Sequence, residues 1–200
     1  MKHLSKEFAV GTMITAAVSG SLSGVVTSPV HAATFFNHIK AQHSGKVLSA
    51  TPVGNGSAVV DGNVVAQVTA KASDLRQQWV AEGKGFSQGG AVFSYKLRQK
   101  IIAKHGEVVN GCLDAPNDQF SQKENSNLVV RACDGTDTQK WIRFTDEDAG
   151  SGFVRTKNFF NGKYVSILNQ SKLEGASLVQ TASSVGAHRK FSVVGVASKP

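Results

Sequence analysis

Cysteine is scarce in this 200-residue chain, which holds only Cys112 and Cys133. Two cysteines and scattered histidines give no recognised zinc spacing, so no metal and no cofactor is expected. Acidic residues are few as well, 14 against 22 Lys plus Arg, which leaves a formal net charge of +8. No long run with 3.6-residue periodicity appears, which argues against a helical bundle. None of the six histidines, His38, His43, His105 and His188 among them, belongs to an HExxH or comparable cluster, and His43 and His105 read as solvated loop residues. The glycine-rich pieces lack the Lys-Ser/Thr of a phosphate cradle. The acidic run Asp146-Glu147-Asp148 reads as a solvated turn, because three adjacent side chains cannot all face one ion. With no nucleophile beside a base, no paired carboxylates and no metal set, the chain is not expected to be an enzyme.

The N-terminus carries a different signal. Lys2 and Lys6 precede an uncharged stretch from Ala9 to Val26, and Pro29-Val30-His31-Ala32 ends in a small residue followed by Ala33. A charged start, an apolar middle and a small-residue end describe a cleavable export leader over residues 1–32. Several Gly and Ser residues dilute the stretch, so a membrane anchor is the poorer reading. Removing the leader takes two lysines and one glutamate and lowers the net charge from +8 to +7. Residues 33–200 then form one domain. An oxidising destination makes a Cys112–Cys133 disulfide the simplest expectation, worth about 3 kcal/mol in the chain-entropy model. The expected location is secreted by way of the periplasm, or associated with the outer membrane. A basic exported protein points to anionic surfaces rather than to nucleic acid.

What remains is rich in turn formers. Thr51-Pro-Val-Gly-Asn-Gly-Ser, Asp61-Gly-Asn, Gln88-Gly-Gly and Gly150-Ser-Gly separate short apolar runs, the pattern of an all-β sandwich or barrel. Phe93-Ser-Tyr-Lys-Leu-Arg98 alternates strictly, as a strand buried on one side does. An internal repeat sharpens the reading. Three segments combine an apolar run with a closing aromatic 13 residues later: Ala66 and Trp79, Leu128 and Trp141, Leu178 and Phe191. Both tryptophans lie in Gln-x-Trp, as Gln77-Gln-Trp79 and Gln139-Lys-Trp141, whereas the third copy reads Arg189-Lys-Phe191.

Gln-x-Trp twice, with Asn110-Gly-Cys-Leu-Asp114 and Leu128-Val-Val-Arg-Ala-Cys133 in the middle copy, resembles the ricin B-type lectins over roughly residues 35–195. The resemblance implies an all-β chain folded as a β-trefoil with three pseudo-repeats. It makes Trp79, Trp141 and Phe191 core residues, and Gln77 and Gln139 partners of the backbone. In the lectins a copy supplies an Asp after Cys-Leu, an aromatic two residues before the second Cys, and an Asn just before Gln-x-Trp. Here those positions carry Asp114, Arg131 and Thr138 in the middle copy, so Asp114 and Arg131 are ligand-binding candidates. Ser49 and Ser166 replace the Asp in the other copies, and Asp74-Leu-Arg76 precedes the first Gln-x-Trp. No copy has the complete lectin set.

A leader, degenerate repeats and no catalytic constellation also resemble the receptor-binding A and C subunits of cytolethal distending toxins. That resemblance implies a non-enzymatic subunit that recognises a host-surface glycan or lipid and docks a catalytic toxin subunit, with a second binding subunit. A stand-alone carbohydrate-binding lectin is the alternative, followed by a trefoil protease inhibitor. Lys96, Arg98 and Lys100 fall on one side of a strand by period two, and form a second candidate ligand surface or a guarded strand edge. The pairs Phe35–Phe36 and Phe159–Phe160 read as core, with an interface patch as the alternative.

Overall fold

Short runs of β-branched and aromatic residues, punctuated by glycine and asparagine, fold as strands throughout the residues described by this computed structural model: 35–117, 123–145 and 152–196. The expected leader and the run Asp146–Asp148 lie outside them. Four strands come first, β1 (Asn37–Ala41), β2 (Val47–Ala50), β3 (Asn63–Val68) and β4 (Trp79–Ser87). Next follow β5 (Gly90–Ile102), β6 (Val108–Asp114), β7 (Ser126–Asn127), β8 (Val129–Ala132) and β9 (Trp141–Thr145). The last are β10 (Val154–Asn158), β11 (Tyr164–Ile167), β12 (Leu178–Thr181) and β13 (Lys190–Gly195). The chain is all-β. Helix is confined, among the described residues, to 3-10 turns such as Leu75–Gln77, Asp137–Gln139 and Ala187–Arg189.

Antiparallel pairing closes the sheet on itself. One circuit runs β13, β1, β2, β3, β8, β6, β5, β9 and β10, and returns through the β10–β13 pair. A shorter circuit passes through β4, which pairs with both β1 and β5. The hairpins β2–β3, β6–β8 and β11–β12 meet one another through Val64 opposite Val129, Asn127 opposite Val179, and an Ala66–Ser177 bridge. A closed sheet leaves few free strand edges, so the backbone groups of each hairpin are satisfied by its neighbours.

The closing aromatics fill the centre. Trp79 and Trp141 are 1% and 0% exposed and Phe191 is 3% exposed. They pack with Leu48, Leu113, Val165, Leu128 and Leu178 in one apolar cluster. Each buried indole keeps its N–H satisfied by the same kind of acceptor: Trp79 Nε1 donates to Leu48 O and Trp141 Nε1 to Leu113 O, both at 3.1 Å. Phe191 has no such donor. Each of these aromatics contributes roughly 1.5–3 kcal/mol or more through the area it removes from water. The expected backbone roles of the glutamines are present too. Gln77 Oε1 accepts from Lys71 N at 2.7 Å, and Gln139 Nε2 donates to Ala132 O at 2.8 Å.

The disulfide Cys112–Cys133 is formed, with 5.0 Å between the α-carbons. It ties β6 to the segment just after β8. Beside it, Gly111 is a close-approach residue: a Cβ there would come within 2.6 Å of Val130 Cγ1 and 2.7 Å of Ile101 Cγ2. Both neighbours are β-branched and fully buried, so neither can yield.

Strands β4 and β5 form a long two-stranded arm, turned by Gln88 and Gly89 at φ 49° and 77°. Positive φ at both central residues matches the right-handed strand twist. A bulge between Gly83 and Gly85 leaves Lys84 unpaired in the ladder, and a second irregularity lies between Lys96 and Lys100 against β6.

Two expectations fail. None of Phe35, Phe36, Phe159 and Phe160 joins the core: Phe35 is 77% and Phe160 49% exposed, and the half-buried pair is covered by cations instead. Arg98 Cζ lies 4.4 Å over the Phe36 ring and Lys140 Nζ 5.9 Å over Phe159. These residues flank strand ends, where the chain has already left the closed interior. His43 is not a solvated loop residue either. It is half-buried, its Nε2 donates to Ser171 O at 2.8 Å, and its ring meets His188 edge-on at 6.2 Å. The β1–β2 turn packs against the loop after β11, a contact that chain order alone does not reveal.

Candidate functional site

The lectin resemblance nominates three positions per copy, and in the first copy these are Ser49, Thr69 and Arg76. All three line one cleft of about 160 Å³, together with Asp74, Gln77 and Glu174. Its walls follow from the local fold. Strand β2 ends at Ala50, and Thr51 Oγ1 anchors the turn that follows by donating to Val64 O at 2.7 Å. Asp74 caps the 3-10 turn Leu75–Gln77 by accepting from Arg76 N at 3.0 Å. The same carboxylate takes a fork of bonds from the guanidinium: Arg76 Nε to Oδ1 at 2.9 Å and Nη2 to Oδ2 at 2.7 Å. Such paired charge-assisted bonds fix both planes.

The far wall comes from another part of the chain. Thr69 N donates to Glu174 Oε1 at 2.9 Å and Thr69 Oγ1 to Oε2 at 2.8 Å, while Lys46 Nζ stands 3.4 Å from Oε2. Both carboxyls are held below their usual range. For Asp74 the chief cause is the Arg76 side-chain bond, and for Glu174 it is the Thr69 N–H. Both are therefore carboxylates at neutral pH. The cleft thus presents two acceptor carboxylates, two cationic donors (Lys71 and Arg76) and the hydroxyls of Ser49 and Thr69, with Pro52 and Val68 as apolar surface. No aromatic side chain lines it. This set can bind several hydroxyl groups at once, each as donor and acceptor.

The middle copy is arranged differently. Asp114 is 3% exposed, and its Oδ2 accepts from Gln139 Nε2 at 3.0 Å and from Thr138 Oγ1 at 3.4 Å. Its Oδ1 is buried without a hydrogen-bond partner. Burial pushes the Asp114 carboxyl up, opposed by the Gln139 bond and by the nearby Arg131 charge. Arg131 is half-buried. The third copy substitutes a buried Ser166 and a buried His188. Desolvation, then Arg189 and His43, lower His188 to about 4, so its ring is neutral near pH 7.

Each cation of the basic strand has a partner of its own. Lys96 Nζ binds Glu82, Arg98 Nη1 donates to Gln78 Oε1 at 2.6 Å, and Lys100 Nζ donates to Asn110 Oδ1 at 2.6 Å. The β5–β6 register shifts between Lys96 and Lys100, yet Leu97 and Ile101 stay buried, so the three cations remain on the side away from the core. Asp74 and Glu174 were missed as site residues by sequence reasoning. Asp74-Leu-Arg76 beside Gln-x-Trp was the available signal for the first; Glu174 had none, because its role is set by a contact with Thr69 over 100 residues away.

At the level of sequence, no family model and no curated protein matches the chain. Solved structures do. A designed 3-fold symmetric protein, ThreeFoil, is 25% identical, covers 80% of this chain and 97% of its own, and superposes with a TM-score of 0.58. The ricin B-like lectin of Macrolepiota procera, solved in complex with lactose, is 13% identical, with 82% and 97% covered and a TM-score of 0.56. The C-half of the earthworm R-type lectin, solved with GalNAc, is 16% identical, with 80% and 98% covered and a TM-score of 0.52. These neighbours are β-trefoil lectins and related folds, and the likeness shows the fold.

Proposed function

We propose that the protein is a carbohydrate-binding module of three trefoil pseudo-repeats, and that the cleft of the first copy is its primary sugar site. One observation carries this reading: the three positions that the lectin motif reserves for sugar contact meet in one cleft, where Asp74 and Glu174 supply the carboxylates that Ser49 does not. The orienting acceptor has moved from the strand end to the 3-10 turn. A saccharide ring would place hydroxyls on Asp74, Glu174 and Arg76 and its C–H face toward Pro52 and Val68. Asp114, at 3% exposure, is part of the support beneath the middle copy in this reading. The lectin alternative thus takes precedence over a toxin subunit, since neither fold nor cleft points to a catalytic partner chain.

Titration against immobilised neutral glycans tests this. Asp74→Ala and Arg76→Ala should each weaken binding about tenfold or more, because each leaves a charged partner unpaired in the cleft. Retention of full affinity by both variants, with unfolding curves like the parent's, would overturn the assignment.

A further inference from the structure

A second cleft, of about 330 Å³, opens between the β4–β5 arm and the disulfide, away from the residues of the first-copy site. Its volume sits at the lower end for small-ligand pockets. Three lysines from different elements line it: Lys84 from the bulge of β4, Lys96 from β5, and Lys140 from the turn before β9. Asn110, whose Oδ1 accepts from Lys100, lines it too and brings a fourth ammonium to its edge. Against these stand two carboxylates. Glu82 lies between Lys96 and Lys84, the latter 3.2 Å away, and Asp137 answers Lys140 at 2.8 Å. Four ammonium groups against two carboxylates leave the cleft cationic.

The donors are of one kind. No arginine lines this cleft, so it lacks the planar fork that matches a carboxylate edge to edge; it offers point charges with several N–H donors each. Such donors suit a tetrahedral oxyanion approached from several sides. Ser94 and Asn110 add neutral polar groups able to meet hydroxyls. The space exceeds that of a lone oxyanion, so the ring that carries the anion fits with it. We propose that this cleft binds a sulfated saccharide, with the sulfate held among Lys84, Lys96 and Lys140 and the sugar ring against the Cys112–Cys133 disulfide.

Glu82 acts as the spacer. It is ionised, because the bond from Lys96 and then that from Lys84 hold its carboxyl below the usual range. It fixes both lysines and at the same time competes with the ligand for them. The disulfide forms a wall, with Cys112 in register with Lys96 across the β5–β6 pair.

The test uses the full protein and a heparin-derived oligosaccharide, with its desulfated counterpart and inorganic sulfate as separate arms. The sulfated probe should bind, the desulfated one at least about tenfold more weakly, and affinity should fall steeply as salt rises from about 0.15 M to about 1 M. Inorganic sulfate should compete. Lys84→Ala combined with Lys96→Ala should cost about tenfold or more, and Lys140→Ala, on a different element, several-fold. Glu82→Gln should tighten binding, an outcome that a merely structural role for the cluster does not produce. Equal affinity for the desulfated probe, no loss in the lysine variants, or looser binding in Glu82→Gln would each overturn the proposal. Asp74→Ala should leave this binding unchanged, so failure here and failure of the first-copy site are separable.

Discussion

Gln139 Nε2 donates to Asp114 Oδ2 at 3.0 Å, and the same nitrogen reaches Ala132 O at 2.8 Å. The Gln of the middle Gln-x-Trp therefore bridges a strand-end carboxyl and the backbone beside the disulfide. Asp114→Ala should cost about 1–3 kcal/mol in urea unfolding, by removing a buried acceptor from Gln139. Glycan affinity at the first-copy cleft should stay within about twofold of the parent, since Asp114 does not line it. A stable Asp114→Ala protein that has lost neutral-glycan binding would move the primary site to the middle copy.

Gly111→Ala should destabilise by about 1–3 kcal/mol, as overpacking in a full core does. The added methyl would sit 2.6 Å from Val130 Cγ1 and 2.7 Å from Ile101 Cγ2, and both residues are 0% exposed. Thermal unfolding at fixed pH checks this. A midpoint equal to the parent's would mean that β5 and β6 separate more readily than their packing implies.

His188 predicts a pH dependence of stability. Its folded value is lowered from 6.5 to about 4, so between these limits the unfolded chain binds the proton and the folded chain does not. Stability is therefore fully present above about pH 6.5 and is lost as pH falls toward about 4, by at most about 3 kcal/mol from this group. Denaturant midpoints measured across that window for the parent and for His188→Gln should converge toward acid. Parallel curves would show that the ring does not stay neutral in the fold.

Replacing both Cys112 and Cys133 with Ala should cost about 3 kcal/mol, the loop-closure value for a bridge of this span. The two residues are 21 apart in sequence. Reduction of the parent should shift the unfolding midpoint by a similar amount. It should also weaken the sulfated probe more than neutral glycan, because the bridge lines the cationic cleft and not the first-copy one.

Much of this was legible along the chain. The lectin resemblance carried by Gln-x-Trp placed Trp79, Trp141 and Phe191 in the core, and the two cysteines pointed to their own bond. The alternation from Phe93 to Arg98 marked a strand, and within it Tyr95 and Leu97 are buried. Those signals are local, and each concerns which face of one element is apolar. The paired phenylalanines were not legible, because a Phe beside a strand end is apolar whether it turns inward or lies under Arg98 or Lys140. Nor were the separate partners of Lys96, Arg98 and Lys100, because Glu82, Gln78 and Asn110 come from other parts of the chain.

Taken alone, the amino-acid order determined an all-β chain with alternating strand faces and one sulfur link among the described residues. Periodicity and spacing encode those features because burial of a strand face depends on neighbours two residues away. The closed sheet decided the rest: that Glu174 reaches Thr69, that His43 meets His188, and that Lys84, Lys96 and Lys140 face one space. Each of these meetings joins residues from different elements, and their positions depend on every strand pairing and bulge between them.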